Sequence, residues 1–304
     1  MRNRIGAAVL SVVLLALLPP EAPGADTRTV GLVVTDEQGA FVPDVRREEV
    51  VILENGAPRE IPSFERDDRP LAVSLVLDAS DGALPVFRVH AQGAVKAFLA
   101  NLPSGARVTL WTTGERSRKL GELKGDQAAI EKKVAQGFGV GGSNALLDTL
   151  VDAAASLSDE TGRRRALVAV SGQWSGHTSW SPGDVTARVR QAAARVFGVM
   201  YREGEKSTVG SLMGLETPRD ATNLTVVGPE DHERILNGLA KATGGSFESV
   251  GTGLAVAHQL EAFARELGGQ YRVRFAVSET KGPRRIEARV LRPGVHWRVV
   301  VESP

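Results

Sequence analysis

The 304-residue sequence contains no cysteine. That absence excludes a disulfide framework, a thiol nucleophile, a zinc–thiolate centre and a lipidated N-terminal cysteine, and it leaves stability to the apolar core. An excess of one charge is missing too, because 37 Lys and Arg stand against 36 Asp and Glu. Nucleic-acid binding needs a concentrated basic surface. The short runs Arg163-Arg164-Arg165 and Arg284-Arg285 read as solvated faces, so no nucleic-acid partner is expected. Beyond the N-terminal stretch, no apolar segment approaches the ~20 residues that a bilayer span requires. With 42% hydrophobic and 24% charged residues, the composition is that of a globular protein of one large or two small domains.

What is present begins at the N-terminus. Arg2 and Arg4 precede an apolar run over 5–18, followed by Pro19, Pro20 and the small residues Ala22-Pro23-Gly24-Ala25. This is the order of a secretory signal peptide, and the run is short for a membrane anchor. Export to the periplasm or the exterior is therefore expected. Cleavage near Ala25 would remove Arg2, Arg4 and Glu21 and leave an electrically neutral mature chain.

Three styles of patterning follow. From 29 to 64 the chain reads as short strands and turns, with Val30, Leu32 and Val34 on one face. Asn55-Gly56 marks a hairpin, Ile61 and Phe64 fall on its return strand, and Pro62 argues for an edge position. The run Leu71-Ala72-Val73-Ser74-Leu75-Val76-Leu77 then stops at Asp78, as a central parallel strand covered on both faces does. Helical spacing over 84–101 places Phe87, Ala91, Val95 and Phe98 on one side. Strands are predicted at 108–111, 166–170, 196–201 and near Phe247. Helices are predicted at 126–136, 145–157, 184–195, 231–242 and 254–267, with a polar loop at 203–229. Such alternation predicts a doubly wound, mostly parallel α/β sheet. Period-two patterning returns at Tyr271, Val273, Phe275 and Val277, at Ile286, Ala288 and Val290, and at Trp297, Val299 and Val301. Neither terminal piece has enough strands for a core of its own, so the two are expected to combine into one β-sandwich around the α/β unit. The implied division is a signal peptide at 1–25, β segments at 26–68 and 270–304, and an α/β domain at 69–269.

Ligands of open α/β sheets bind beyond the carboxyl ends of the strands. Three loops should gather there: Asp78-Ala79-Ser80-Asp81-Gly82, Gly141-Gly142-Ser143, and Ser171-Gly172-Gln173-Trp174. In these loops the chain resembles a von Willebrand factor A domain, and more narrowly the exported bacterial VWFA-related proteins. There a strand ends in Asp-x-Ser-x-Ser, Gly-Gly-Thr precedes a Leu-x-Asp helix, and Ser-Asp-Gly follows a later strand. The likeness extends to Val33-Val34-Thr35-Asp36 with Gly39, to Glu54-Asn55-Gly56-Ala57-Pro58, to Ala240-Lys241-Ala242-Thr243-Gly244-Gly245 and to Glu266-Leu267-Gly268-Gly269-Gln270-Tyr271. It covers essentially the whole mature chain.

The resemblance implies a Rossmann-like domain with a metal-ion-dependent adhesion site, in which hydroxyls and aspartates hold Mg²⁺ and a partner's carboxylate completes the coordination. Asp78 and Ser80 match that pattern, and Ser143 supplies a hydroxyl in place of threonine. Gly82 and Gly172 stand where a serine and an aspartate are expected, so the site is degenerate and Mg²⁺ binding is expected to be weak or absent. Two readings stay open. One is a weakened Mg²⁺ site at Asp78, Ser80 and Ser143 with water in the gaps. The other is a loop in which Asp78 caps the adjacent helix or bonds nearby backbone N–H groups.

Other motifs carry less. Gly137-Phe138-Gly139-Val140-Gly141-Gly142 matches a dinucleotide fingerprint but follows a helix rather than a strand. Ser175 and His177 invite a hydrolase reading, although the serine does not sit at the centre of G-x-S-x-G. Trp174 and Trp180 are expected to be exposed contact residues beside Asp81. His90, His177, His232, His258 and His296 lack ligand spacing. The leading expectation is a protein-binding, adhesion or scaffold module rather than an enzyme, using the rim of the sheet. The alternatives are a metal-free assembly module of the cell envelope, or a hydrolase using Ser175 and His177.

Overall fold

The computed structural model describes residues 26–138, 142–202, 225–278, 282 and 284–300, with the side chains of 84–89 and 127 excepted. The expected signal peptide, Gly141, the Phe87 side chain and Val301 lie outside them, as does most of the loop expected at 203–229.

The chain starts with β1 (Thr27–Thr35), whose Val30, Leu32 and Val34 enter one core. Strands β2 (Val50–Glu54) and β3 (Ala57–Arg59) form the hairpin at Asn55-Gly56. Both turn residues have positive φ, 52° and 82°, as a two-residue hairpin with right-handed strand twist requires. The return strand is β3 itself. Ile61 is buried in the corner beyond it, and Phe64 lies in β4 (Ser63–Arg66), which crosses to another sheet and forms its edge. Proline at 62 suits that crossing, because it cannot donate to a ladder.

Next come β5 (Leu71–Leu77), α1 (Leu84–Asn101), β6 (Arg107–Thr112), β7 (Arg118–Glu122), α2 (Gln127–Gly137), α3 (Leu146–Ser158) and β8 (Arg164–Gly172). They are followed by β9 (Gly176–Thr178), α4 (Pro182–Gln191), β10 (Arg195–Tyr201), β11 (Thr225–Val227), α5 (Pro229–Thr243), β12 (Phe247–Val250) and α6 (Gly253–Glu266). The six-stranded sheet runs β12-β10-β8-β5-β6-β7, parallel except for β7 at one edge. Helix α4 ends earlier than its spacing predicts, because Ala193 takes a positive φ of 50° before β10 begins. The polar strand β7 and the short pair β9–β11 have no counterpart in the sequence pattern.

Strand β5 is buried throughout. Leu71, Val73, Leu75 and Leu77 face the core shared with α1 and α6, while Ala72 and Val76 face α3. Ser74, on the α3 side, donates its hydroxyl to the Ala153 carbonyl at 3.1 Å. The chain leaves β5 toward β6 on one side and leaves β8 toward β10 on the other. The direction of winding therefore reverses between β5 and β8, which is the crevice where such sheets hold their ligands.

Strands β13 (Tyr271–Ala276), β14 (Ile286–Val290) and β15 (His296–Val300) return to the N-terminal strands. One sheet has the order β15-β1-β13-β4 and the other β14-β2-β3. Val30, Leu32, Ile52, Val273 and Phe275 share one core between them. The expected sandwich of terminal segments is thus present, with the α/β unit inserted between its halves.

Polar contacts tie the two parts together. Arg195, at the start of β10 and only 5% exposed, donates to Glu266 and to the Gly244 carbonyl. Arg298 of β15 reaches the same Glu266 carboxylate at 3.2 Å. Burial pushes the Arg195 guanidinium below its ordinary range, and Glu266 opposes that shift. Removing one partner of a buried pair leaves an uncompensated charge. Glu266→Ala should therefore lower stability by about 3–5 kcal/mol in urea unfolding. Breaking the exposed Arg272–Glu65 pair by Arg272→Ala should change it by less than about 1 kcal/mol.

Candidate functional site

Parallel register sets the site. Leu77 pairs with Thr112 on one side and Val170 on the other, so Asp78, Thr113 and Ser171 emerge together at the carboxyl ends of three adjacent strands. The Asp78 N–H donates to Val170 O at 2.9 Å, and the Thr113 N–H to Leu77 O at 3.0 Å.

Asp78 is 1% exposed. Its Oδ1 accepts from the Ser80 N–H at 3.0 Å, the Ser80 hydroxyl at 2.6 Å and the Thr113 hydroxyl at 3.1 Å. Its Oδ2 accepts from Asn144 Nδ2 at 3.0 Å, the Ser171 hydroxyl at 2.8 Å, the Gly172 N–H at 3.1 Å and the Trp174 indole N–H at 3.1 Å. A carboxylate offers about four lone-pair directions. All are occupied, some of them shared, by neutral donors from four loops. Asp78 thus bonds nearby backbone N–H groups and, beyond them, side chains, and α1 has no side-chain cap.

The two glycines explain how the indole gets in. A Cβ at Gly172 would lie 2.0 Å from Trp174 Cε2, and one at Gly82 would lie 3.0 Å from Trp174 Cγ. The ring therefore occupies the space that side chains at these positions would enter. Loss of the serine and the aspartate expected there, and insertion of the indole, form one steric unit. The residues present do not fit a divalent cation. Mg²⁺ needs oxygen ligands at about 2.0–2.1 Å, yet the carboxylate it would use is covered by N–H and O–H groups.

Ser80 lies beside Asp78, but Ser143 does not join them. Its exposed hydroxyl pairs with His177 Nδ1 at 2.8 Å. Asn144 takes the inner position instead, bonding both Asp78 and Ser171. Thr113 and Ser171 also serve the carboxylate, and their places where the apolar runs of β6 and β8 end mark them in the sequence.

The expected contact residues divide. Asp81 is exposed on the rim, with its N–H held by Gly142 O at 2.9 Å. Trp174 is half-buried, with its N–H committed to Asp78, and is not an exposed anchor. Trp180 is also half-buried, packed on the α3–α5 core and covered by the Arg188 guanidinium 4.0 Å from its ring centre. Ser175 is exposed, but both His177 ring nitrogens are engaged elsewhere, by Ser143 and by the Glu115 carbonyl at 3.1 Å. The Ser175–His177 pair does not form. Among the described residues no group of three or more acidic, histidine or cysteine side chains is placed to hold a metal. The glycine-rich fingerprint follows α2 rather than a strand, and its residues 139–141 lie outside the described chain.

His232 of α5 lies under this site, fully buried, and neither ring nitrogen completes a hydrogen bond. Burial lowers its pKa from 6.5, against weaker opposing pulls from Asp78 and the Trp174 backbone. A histidine held neutral in the fold costs stability once the unfolded chain gains a proton that the fold refuses. Stability should thus be full above about pH 6.5 and decline as pH falls below it, by at most ~1.4 kcal/mol per pH unit. Urea unfolding at pH 7.5 and 5.5 should show this decline in the wild type, reduced in His232→Phe.

No family model matches the sequence, and no curated protein matches it. Solved structures with similar folds include von Willebrand factor type A from Catenulispora acidiphila, 13% identical, covering 91% of this chain and 73% of that one with a TM-score of 0.46. BatB from Bacteroides thetaiotaomicron is 14% identical, covering 64% of this chain and 99% of that one with a TM-score of 0.43. Proximal thread matrix protein 1 from the mussel byssus, in a form with a zinc-occupied MIDAS motif, is 11% identical with a TM-score of 0.48. That likeness covers 69% of this chain and 48% of the byssus protein, so this chain spans about half its length.

Proposed function

We propose that the protein is an exported protein-binding or scaffold module that works without bound metal and offers its partner the rim formed by 78–82, 142–144 and 171–180. The observation that carries this reading is Asp78, buried and saturated by donors from four loops. These bonds hold the rim in one arrangement at the winding switch of the sheet, and a surface already ordered loses less entropy on binding. Exposed Asp81, Ser143 and Ser175 are its polar contacts. Export rests on the basic, apolar, small-residue order of 1–25.

A second reading has its own support. Leu291 is 66% and Trp297 39% exposed on the sandwich, and exposed apolar side chains there suit assembly through the β segments.

Calorimetric titration with millimolar Mg²⁺ or Mn²⁺ should give no binding isotherm, and EDTA should leave the melting temperature unchanged. A tight isotherm lost in Asp78→Ala would overturn the metal-free reading. Asp78→Ala itself should cost about 3 kcal/mol or more in urea unfolding, because it orphans several buried donors at once. In pull-downs from envelope extract with EDTA present, Asp81→Arg should lose the bound partner while Leu291→Glu keeps it. The reverse pattern would favour assembly through the sandwich.

A further inference from the structure

A serine, an imidazole and a carbonyl meet on the rim through atoms that the Asp78 network does not use. Ser143 Oγ lies 2.8 Å from His177 Nδ1, and His177 Nε2 lies 3.1 Å from the Glu115 backbone oxygen. A carbonyl oxygen only accepts, so Nε2 must carry the ring proton. In the neutral ring Nδ1 then holds a lone pair and accepts from the Ser143 O–H. The tautomer is set by the frame.

The frame is braced from several directions. His177 pairs with Val226 across β9–β11, and its N–H donates to Asn144 O at 3.1 Å on the other side. The loop carrying Glu115 is tied to the start of α3 by the Ala145 N–H to Gly114 O bond at 3.0 Å. Ser143 is exposed and His177 half-buried, so a reagent reaches the hydroxyl while the base stays positioned.

We propose that Ser143 is a nucleophile activated by His177, and that the rim carries out acyl transfer from esters to water. Ser143 Oγ attacks the acyl carbon as its proton passes to Nδ1. The tetrahedral intermediate collapses, the ester C–O bond breaks, and the departing alkoxide takes that proton from His177. Water then attacks the acyl-serine while His177 accepts its proton. That proton returns to Ser143 Oγ as the acid leaves. The sum is ester plus water to acid plus alcohol, with no further reactant. Because the hydroxyl stands on an open rim, the substrates it suits are esters displayed on a larger molecule or small activated esters.

The test uses the purified chain with a fluorophosphonate probe and with p-nitrophenyl acetate, followed by intact mass measurement and peptide mapping. The expected result is one adduct, mapped to Ser143 and absent in Ser143→Ala. The labelling rate should fall about 100-fold in His177→Ala, within the range for general-base assistance. Melting curves establish that each variant is folded, and His177→Gln is used if His177→Ala is not. No adduct on Ser143 over hours would overturn the proposal. So would labelling at an undiminished rate in a folded His177 variant.

Discussion

A carboxylate taken out of water loses several kcal/mol of solvation, and the fold keeps it charged only if donors replace the lost shell. Asp78 meets that condition with neutral groups alone: two backbone N–H groups, three hydroxyls, one amide and one indole. The requirement reaches outward from one side chain. It is met where β5, β6 and β8 end in register, where Trp174 of the loop after β8 reaches back to the carboxylate, and where the Asn144 amide points inward.

The same condition accounts for substitutions that look like losses when each is taken singly. Glycine at 82 and at 172 removes oxygen ligands, which on its own would leave Asp78 under-solvated and a void beside it. The Trp174 ring fills that void and its N–H supplies a bond, so volume and polarity are restored by one residue. An indole donates only one bond, and the amide of Asn144 and the hydroxyls of Thr113 and Ser171 supply the others. A site built to exchange ligands on a cation keeps an open coordination position. Here both oxygens of the Asp78 carboxylate already hold donors.

That difference separates what the sequence made legible from what it did not. The apolar run ending at Asp78, the helical spacings and the Asn55-Gly56 turn all reflect burial or backbone constraints that act within a few residues, and apart from the early end of α4 they fall where expected. Strand β7, with Arg118-Lys119-Leu120-Gly121-Glu122, is a polar edge strand held by pairing to the preceding β6, and the three-residue β9 and β11 pair with each other across a long stretch of sequence, so no apolar periodicity announces them. Ser143 and Asn144 differ by one residue. Loop curvature decides which of them faces inward, and adjacent polar residues give no hint of it. A loop aromatic such as Trp174, taken alone, suggests exposure, whereas its ring is half-buried. Only together with two glycines ninety residues apart does it describe a plug and its socket.

Two polar systems therefore share the rim without sharing atoms. The inner one, around Asp78, is closed to solvent and holds the loops in place. The outer one, Ser143 and His177 with the Glu115 carbonyl, is open and inherits its alignment from the first. They join at Asn144, whose amide bonds Asp78 while its carbonyl accepts the His177 N–H. A displacement of Asn144 would loosen both at once, whereas loss of the Ser143 hydroxyl would leave the inner network intact. Chemistry at the outer pair can thus vary without endangering the fold, provided the buried charge keeps its donors.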